Sequence, residues 1–188
     1  MIRESANISD LSEHGNVAKV YAVSINLGVI GEALRGYLKR FRDNPHRIII
    51  EYMAGGSLDK CMKDDMFFYS SSRERAVIKA VKETADALVY LHGKGYVHLD
   101  VKPKNVFLIR KPKDPSDLPS VNLKLGDLGS TVRAGKPASQ LTSEYAPPEA
   151  FYDEARPSMD VFTLGMSLYK LLTKKRRSDL QAMEVGWG

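Results

Sequence analysis

The stretch that most constrains this chain is Tyr96-Val97-His98-Leu99-Asp100-Val101-Lys102-Pro103-Lys104-Asn105-Val106-Phe107-Leu108. It sets out an acid, a cation two residues on and an amide three further, and then passes directly into an apolar run of β type. That is the layout of a loop that holds a hydroxyl, a phosphate and a metal at once. Asp100 is suited to accept the proton of an attacking hydroxyl and Lys102 to neutralise charge on a transferring phosphoryl group. Asn105 is suited to offer an amide oxygen to Mg²⁺.

Further short patterns follow in order along the chain. Leu125-Gly126-Asp127-Leu128-Gly129 places an acid between glycines with an apolar residue after it. Thr142-Ser143-Glu144-Tyr145-Ala146-Pro147-Pro148-Glu149 and Asp160-Val161-Phe162-Thr163-Leu164-Gly165 come next. Together with the loop around Asp100 they resemble the ordered motifs of the eukaryotic-type protein kinase family, serine/threonine type. The first stretch resembles H-R-D-L-x-x-x-N, with Leu99 where most members carry Arg. Asp127-Leu128-Gly129 is a variant of D-F-G. The third resembles T-x-x-Y-x-A-P-E with Pro147 for Ala, and the last resembles D-x-W-x-x-G with Phe162 for Trp.

This resemblance implies an α+β, protein-kinase-like fold. Residues 1–53 would form a partial N-lobe and hinge, with the end of the family's helix αC and its fourth and fifth strands. Residues 54–188 would form a mainly helical partial C-lobe, from αD through αF to about the start of αG. The implied cofactors are ATP and Mg²⁺, and the implied reaction is transfer of the ATP γ-phosphate to Ser or Thr of protein substrates. Catalytic roles fall to Asp100, Lys102, Asn105 and Thr142, and metal binding to Asn105 and Asp127. Nucleotide contacts fall to Ile50, Glu51, Met53 and Phe107, with Ile50 as gatekeeper and Phe107 as the floor under adenine. Structural roles fall to Glu4, His98, Leu128, Glu149 and Asp160. Lys102 and Thr142 point to serine/threonine rather than tyrosine substrates.

The same resemblance locates what is missing. Glu4 occupies the place of the αC glutamate, yet the Gly-rich loop and the strand lysine that it pairs with have no counterpart among residues 1–3. A chain of 188 residues is also shorter than a complete two-lobed kinase domain. Truncation at both ends predicts weak or no activity for this product and a regulatory partner that covers the incomplete N-lobe. The alternative reading is a catalytically inert kinase-like binding or scaffold module.

Composition bounds the remaining choices. With 43% hydrophobic residues the chain can bury one good core, a domain near this size hiding about 70% of its unfolded surface. A single cysteine, Cys61, excludes an internal disulfide framework. No apolar run approaches the roughly 20 residues that span a bilayer, so no membrane partner is expected, and the expected location is cytoplasmic, with a nuclear one left open. A net charge of +5 is too modest to argue for nucleic acid.

Taken in order, 17–23 and the β-branched 47–53 read as strands, the latter buried. Between them Leu34, Tyr37, Leu38 and Phe41 share one face of an expected amphipathic helix over 31–41. Ser71-x-x-Glu74 reads as a capping box opening a long helix, with Val77, Val81, Leu88 and Leu91 on its buried face and Gly93 and Gly95 at its stop. Residues 110–120 read as a surface loop and the polar middle of 127–149 as mobile. Asp160 opens a helix expected to bury Val161, Leu164, Leu168, Leu171 and Leu172. Lys174-Lys175-Arg176-Arg177 reads as a solvated helix end, ahead of a nuclear signal.

Overall fold

Two β-branched strings, Val20–Ser24 and Arg47–Ile50, pair antiparallel as β1 and β2, with Val23 opposite Ile48 and an irregularity between Val20 and Ala22. The structure is a computed structural model that describes residues 11, 13–24, 27–37, 39, 47–138, 141–175 and 177–178. It divides into two units, Met1–Glu13 with Ala18–Glu51, and His14–Val17 with Tyr52–Gly188.

In the first unit helix α1 spans Leu27–Leu34. It begins earlier and ends sooner than the apolar spacing predicts. Gly36 takes φ +93, and the amides of Arg35 and Tyr37 both donate to the Glu32 carbonyl, which closes the helix. Only a residue without Cβ adopts that backbone at little cost. Leu34 and Tyr37 are consequently exposed rather than one buried face, and Leu38 and Phe41 lie outside the described residues. Ile48, Ile49 and Ile50 of β2 are also exposed, against the expectation of a buried strand. Among the described residues this sheet has two strands, too few to enclose both faces of either.

The second unit is built on α4, Arg73–Gly93, which buries Ala76, Val77, Ala80, Thr84, Ala87, Leu88 and Leu91. The i, i+4, i+7 spacing of these side chains makes one continuous face. Val81 is only half-buried. The expected capping box is not formed. The N-cap is Ser72, with helical backbone and no side-chain cap bond, and its buried hydroxyl instead accepts from Arg75. Two short helices precede it. Ser57 caps α2, Leu58–Lys63, and Asp64 caps α3, Asp65–Phe68.

Against α4 and α2 lies a three-stranded antiparallel sheet in the order β3, β5, β6. These strands are Gly56–Ser57, Val106–Leu108 and Leu123–Leu125. Gly55 donates to the Leu108 carbonyl, and a Cβ there would stand 2.3 Å from the Arg110 carbonyl oxygen, so the close approach of the two chains requires glycine. Asn16 adds to the far edge, its carbonyl accepting from Leu125 N at 2.7 Å and its amide donating to Leu123 O at 3.1 Å.

The segment 110–120 is more ordered than a plain loop. A 3₁₀ turn over Pro115–Ser120 buries Leu118 and packs on α4. Arg110 grips Asp117 through both guanidinium nitrogens, at 2.6 and 2.8 Å. With Ser120 and the Lys113 amide it holds that carboxyl far below the usual range. Strands β4, Tyr96–Val97, and β7, Val132–Arg133, pair separately. Helix α5, Pro157–Thr173, packs on α4 and β4.

Helix α5 corrects a second pattern. It buries Met159, Asp160, Thr163, Ser167 and Leu171, while Val161 and Leu172 are exposed and Leu164 and Leu168 only half-buried. The buried stripe is polar because each of its hydroxyls and its carboxylate finds a partner, which removes the cost of desolvating them. The stretch 135–137, part of the polar middle expected to be mobile, is tied down. Gly135 N donates to Ala155 O, Ala155 N to Lys136 O, and Pro137 bridges Glu154. Ser139 and Gln140 lie outside the described residues.

Candidate active site

Between β4 and β5 the chain makes a loop whose backbone is fixed from below by α5. The Asp160 carboxylate is fully buried. Its Oδ2 accepts from His98 N at 2.8 Å and bonds His92 Nε2 at 2.8 Å, and its Oδ1 accepts from Leu99 N at 2.7 Å. Leu99 needs that hold, since it adopts φ +67, a left-handed conformation that costs a side-chain-bearing residue roughly 1–2 kcal/mol. Two turns further along α5, Ser167 donates to the Val101 carbonyl at 3.0 Å. The Leu99 side chain packs with Val97, Val132, Ala150, Ala155 and Met159, and Leu141 lies against the cluster.

His98 is also fully buried. Its Nδ1 accepts from Asp100 N at 3.2 Å, which leaves the proton on Nε2 to donate to the Gly126 carbonyl at 3.1 Å. One imidazole thus joins the loop that carries Asp100 to the loop that carries Asp127.

The polar side chains converge above this base. Lys102 Nζ donates to Asp100 Oδ1 at 3.0 Å, to Asp100 Oδ2 at 2.7 Å and to Thr142 Oγ1 at 2.8 Å. Thr142 in turn donates to Asp100 Oδ1 at 2.6 Å. Asn105, buried to 5% exposure, donates through Nδ2 to the Asp100 carbonyl and to Asp100 Oδ2, both at 2.9 Å. Asp100, Lys102, Asn105 and Thr142 therefore form one hydrogen-bonded group from two distant parts of the chain.

Asp127 stands beside this group. Gly126 N donates to the Asn105 carbonyl at 2.8 Å, and Asp127 follows with φ +56, its residue exposed. Leu128 is buried and opens a short 3₁₀ turn, Leu128–Ser130. The donor set fits Mg²⁺. Asn105 commits its amide nitrogen to Asp100 and keeps an oxygen for coordination, and Asp127 brings one carboxylate. Mg²⁺ is ordinarily held by one or two protein oxygens, with phosphates and water completing its shell. Among the described residues no cluster of three His, Cys, Asp or Glu forms an all-protein metal cage.

The other sequence-derived residues fall as follows. Met53 and Phe107 belong to the second unit, Met53 at the edge of burial and Phe107 on β5 half-buried. Ile50 and Glu51 belong to the first unit, where Ile50 is exposed. The Glu51 amide is already engaged by Lys19 O at 2.7 Å, and its carboxylate accepts from Lys19 N. Glu149 is exposed in the 3₁₀ turn Pro148–Phe151, and Glu4 lies outside the described residues. The sequence reading missed His92 and Ser167. Ser167 had a signal, since Asp160, Thr163 and Ser167 form a polar stripe at i, i+3, i+7 in an otherwise apolar helix. His92 had none beyond being a basic residue in the last turn of α4.

A buried aspartate thus braces a strained loop, and an acid, a lysine, an asparagine and a distant threonine are bonded above it on an α+β fold. Residues 1–184 match the protein kinase domain model, and the chain belongs to that family. It is 39% identical over 188 aligned residues to the serine/threonine-protein kinase ArnS of Sulfolobus acidocaldarius, covering 93% of this chain and 30% of that protein. It is 27% identical to Wee1-like protein kinase 2 of Mus musculus, over 88% of this chain and 33% of that protein. With the serine/threonine-protein kinase nekl-2 of Caenorhabditis elegans it shares 30% identity, over 77% and 41%. The chain thus spans less than half the length of these relatives. No helix among the described residues is long and apolar enough to cross a membrane.

Proposed function

We propose that this chain is the catalytic portion of a serine/threonine protein kinase that transfers the γ-phosphoryl group of ATP to hydroxyls of protein substrates. The observation that carries the reading is the bonding of Asp100, Lys102 and Thr142 to one another at 2.6–3.0 Å. An isolated surface acid has no need of a buried asparagine, a lysine and a threonine brought 42 residues along the chain.

In this reading Asp100 accepts the proton of the incoming hydroxyl, and Asn105 Nδ2 fixes the orientation of its carboxylate. Lys102 lies beside the same carboxylate and neutralises charge that develops on the transferred group. The Thr142 hydroxyl spans Asp100 and Lys102 and sets their separation. Asn105 and Asp127 would hold Mg²⁺, which supplies charge neutralisation of the phosphates when bound. Met53 and Phe107 are the second unit's candidates for adenine contact.

The test is phosphate transfer from labelled ATP to a generic protein substrate, followed by phosphoamino-acid analysis, with a completed version of the chain that carries a Gly-rich loop and lysine strand, and with its Asp100→Asn variant. Phosphoserine or phosphothreonine is the expected product, and the variant is expected to turn over slower by on the order of 10²–10⁴, the usual share of a positioned general base. Phosphotyrosine as the main product, or full turnover in the variant, would overturn the reading.

A further inference from the structure

Thr142 begins a tight turn in which Tyr145 N and Ala146 N both donate to the Thr142 carbonyl at 2.9 Å. Thr142 cannot keep its contacts with Asp100 and Lys102 unless this whole turn is held in place. Its inner side is fixed by Tyr145, which is buried. Burial, with the Glu144, Asp59 and Asp100 carboxylates nearby, pushes the phenol pKa up, so Tyr145 stays a neutral anchor. Its outer side is gripped by two cations, Lys170 in the last turn of α5 and Arg177 beyond its end. Lys170 Nζ pairs with Glu144 Oε1 at 3.1 Å, both side chains partly covered. Arg177 Nη1 donates to the Ala146 carbonyl at 2.5 Å, its guanidinium 5.3 Å from the Phe162 ring centroid.

Within the basic run Arg177 is thus engaged, while Lys174 and Lys175 are exposed as a solvated helix end requires. Lys174 is engaged as well, with Asp65 at 2.7 Å and 4.2 Å from the Phe68 ring centroid, tying the C-terminus of α5 to α3. Helix α5 consequently serves both sides of the site. Asp160 and Ser167 hold the loop that carries Asp100, while Lys170 holds the turn that carries Thr142.

We infer that Lys170, Glu144 and Arg177 are positioning residues that latch the 142–146 turn and so set the Thr142 hydroxyl against Asp100 and Lys102. In its effect on catalysis this rests on the kinase reading. The latch itself is a statement about local structure and stands apart from it. Removing Lys170 deletes one partly exposed ion pair. Removing Arg177 deletes a charge-assisted bond to a carbonyl and its ring contact, so its effect is the larger.

The experiment compares the completed chain with Lys170→Met, Arg177→Met and the charge-swapped Glu144→Lys/Lys170→Glu variant, with amide hydrogen exchange and peptide phosphorylation read in parallel. The amides of Tyr145 and Ala146 are expected to exchange about threefold faster in Lys170→Met and about tenfold faster in Arg177→Met. Amides of α4 keep their wild-type protection, and the swap recovers most of the loss. Peptide kcat/KM is expected to fall by similar factors with the KM for ATP unmoved. It should fall no further when Lys170→Met is added to Thr142→Ala, since Lys170 acts through Thr142. Unchanged protection at Tyr145 and Ala146, or additive losses in the double variant, would overturn the latch. Absence of phosphate transfer by the completed chain without substitutions would count against the kinase reading alone, leaving exchange to decide the latch.

Discussion

Ile48-Ile49-Ile50 in β2 and Val106-Phe107-Leu108 in β5 are nearly interchangeable as strings, yet the first is exposed at every residue and the second buries both its ends. Strand β5 is the middle of three, flanked by β3 and β6 and packed by α2. Strand β2 has one partner among the described residues. The apolar sequence creates a drive to bury of about 25 cal/mol per Å² in both places, but the energy is realised only where a second layer arrives to displace water. The loop that carries Asp100 depends on that difference. It sits on the covered side, where Asp160 and His98 are fully enclosed and can hold backbone in a conformation that solvent-exposed bonds would not maintain.

The largest effect should come from removing the brace under the covered side. Asp160→Ala orphans the buried amides of His98 and Leu99 at about 1–3 kcal/mol each and releases Leu99 from its left-handed conformation. Urea unfolding is expected to show a loss of about 2–6 kcal/mol, and a loss below about 1 kcal/mol would mean that the loop is held by other means. Next comes the comparison itself. Leu108→Ala, at a fully buried position, is expected to cost about 2–5 kcal/mol, while Ile49→Ala, 57% exposed, should stay within about 0.5 kcal/mol. Equal losses would erase the distinction between the strands.

The smallest effect is a probe of the cover over β5. Cys61 lies on α2, and burial, with Asp64 nearby, pushes its thiol up to about 11. The thiolate is the reactive species, and a raised pKa leaves less of it at neutral pH. Alkylation should therefore be slow near pH 8 and rise toward a midpoint near 11. A midpoint near the ordinary value of about 8.5 would show that α2 opens away from the sheet.

Much of this protein was legible in its residues. The family assignment, the α+β fold, the long helix and the order of the motifs follow from residue types at fixed spacing, because each motif needs its own chemistry locally. So does the clustering of Asp100, Lys102 and Asn105, which one short loop cannot separate widely. Other features depended on what lies opposite. The capping box failed because Ser72, not Ser71, meets the helix start. The predicted helix over 31–41 stopped at Leu34 because Gly36 turned the backbone first. The apolar face assigned to α5 was displaced because a polar stripe found partners on the loop that carries Asp100, and bonded polar groups compete with leucine for the interior. Sequence by itself determined the family and named the side chains Asp100, Lys102, Asn105 and Thr142 that the fold brings together. Only the tertiary structure decided which surfaces are covered, and with that what Lys170, Lys174 and Arg177 meet, because burial and long-range pairing depend on elements far apart along the chain.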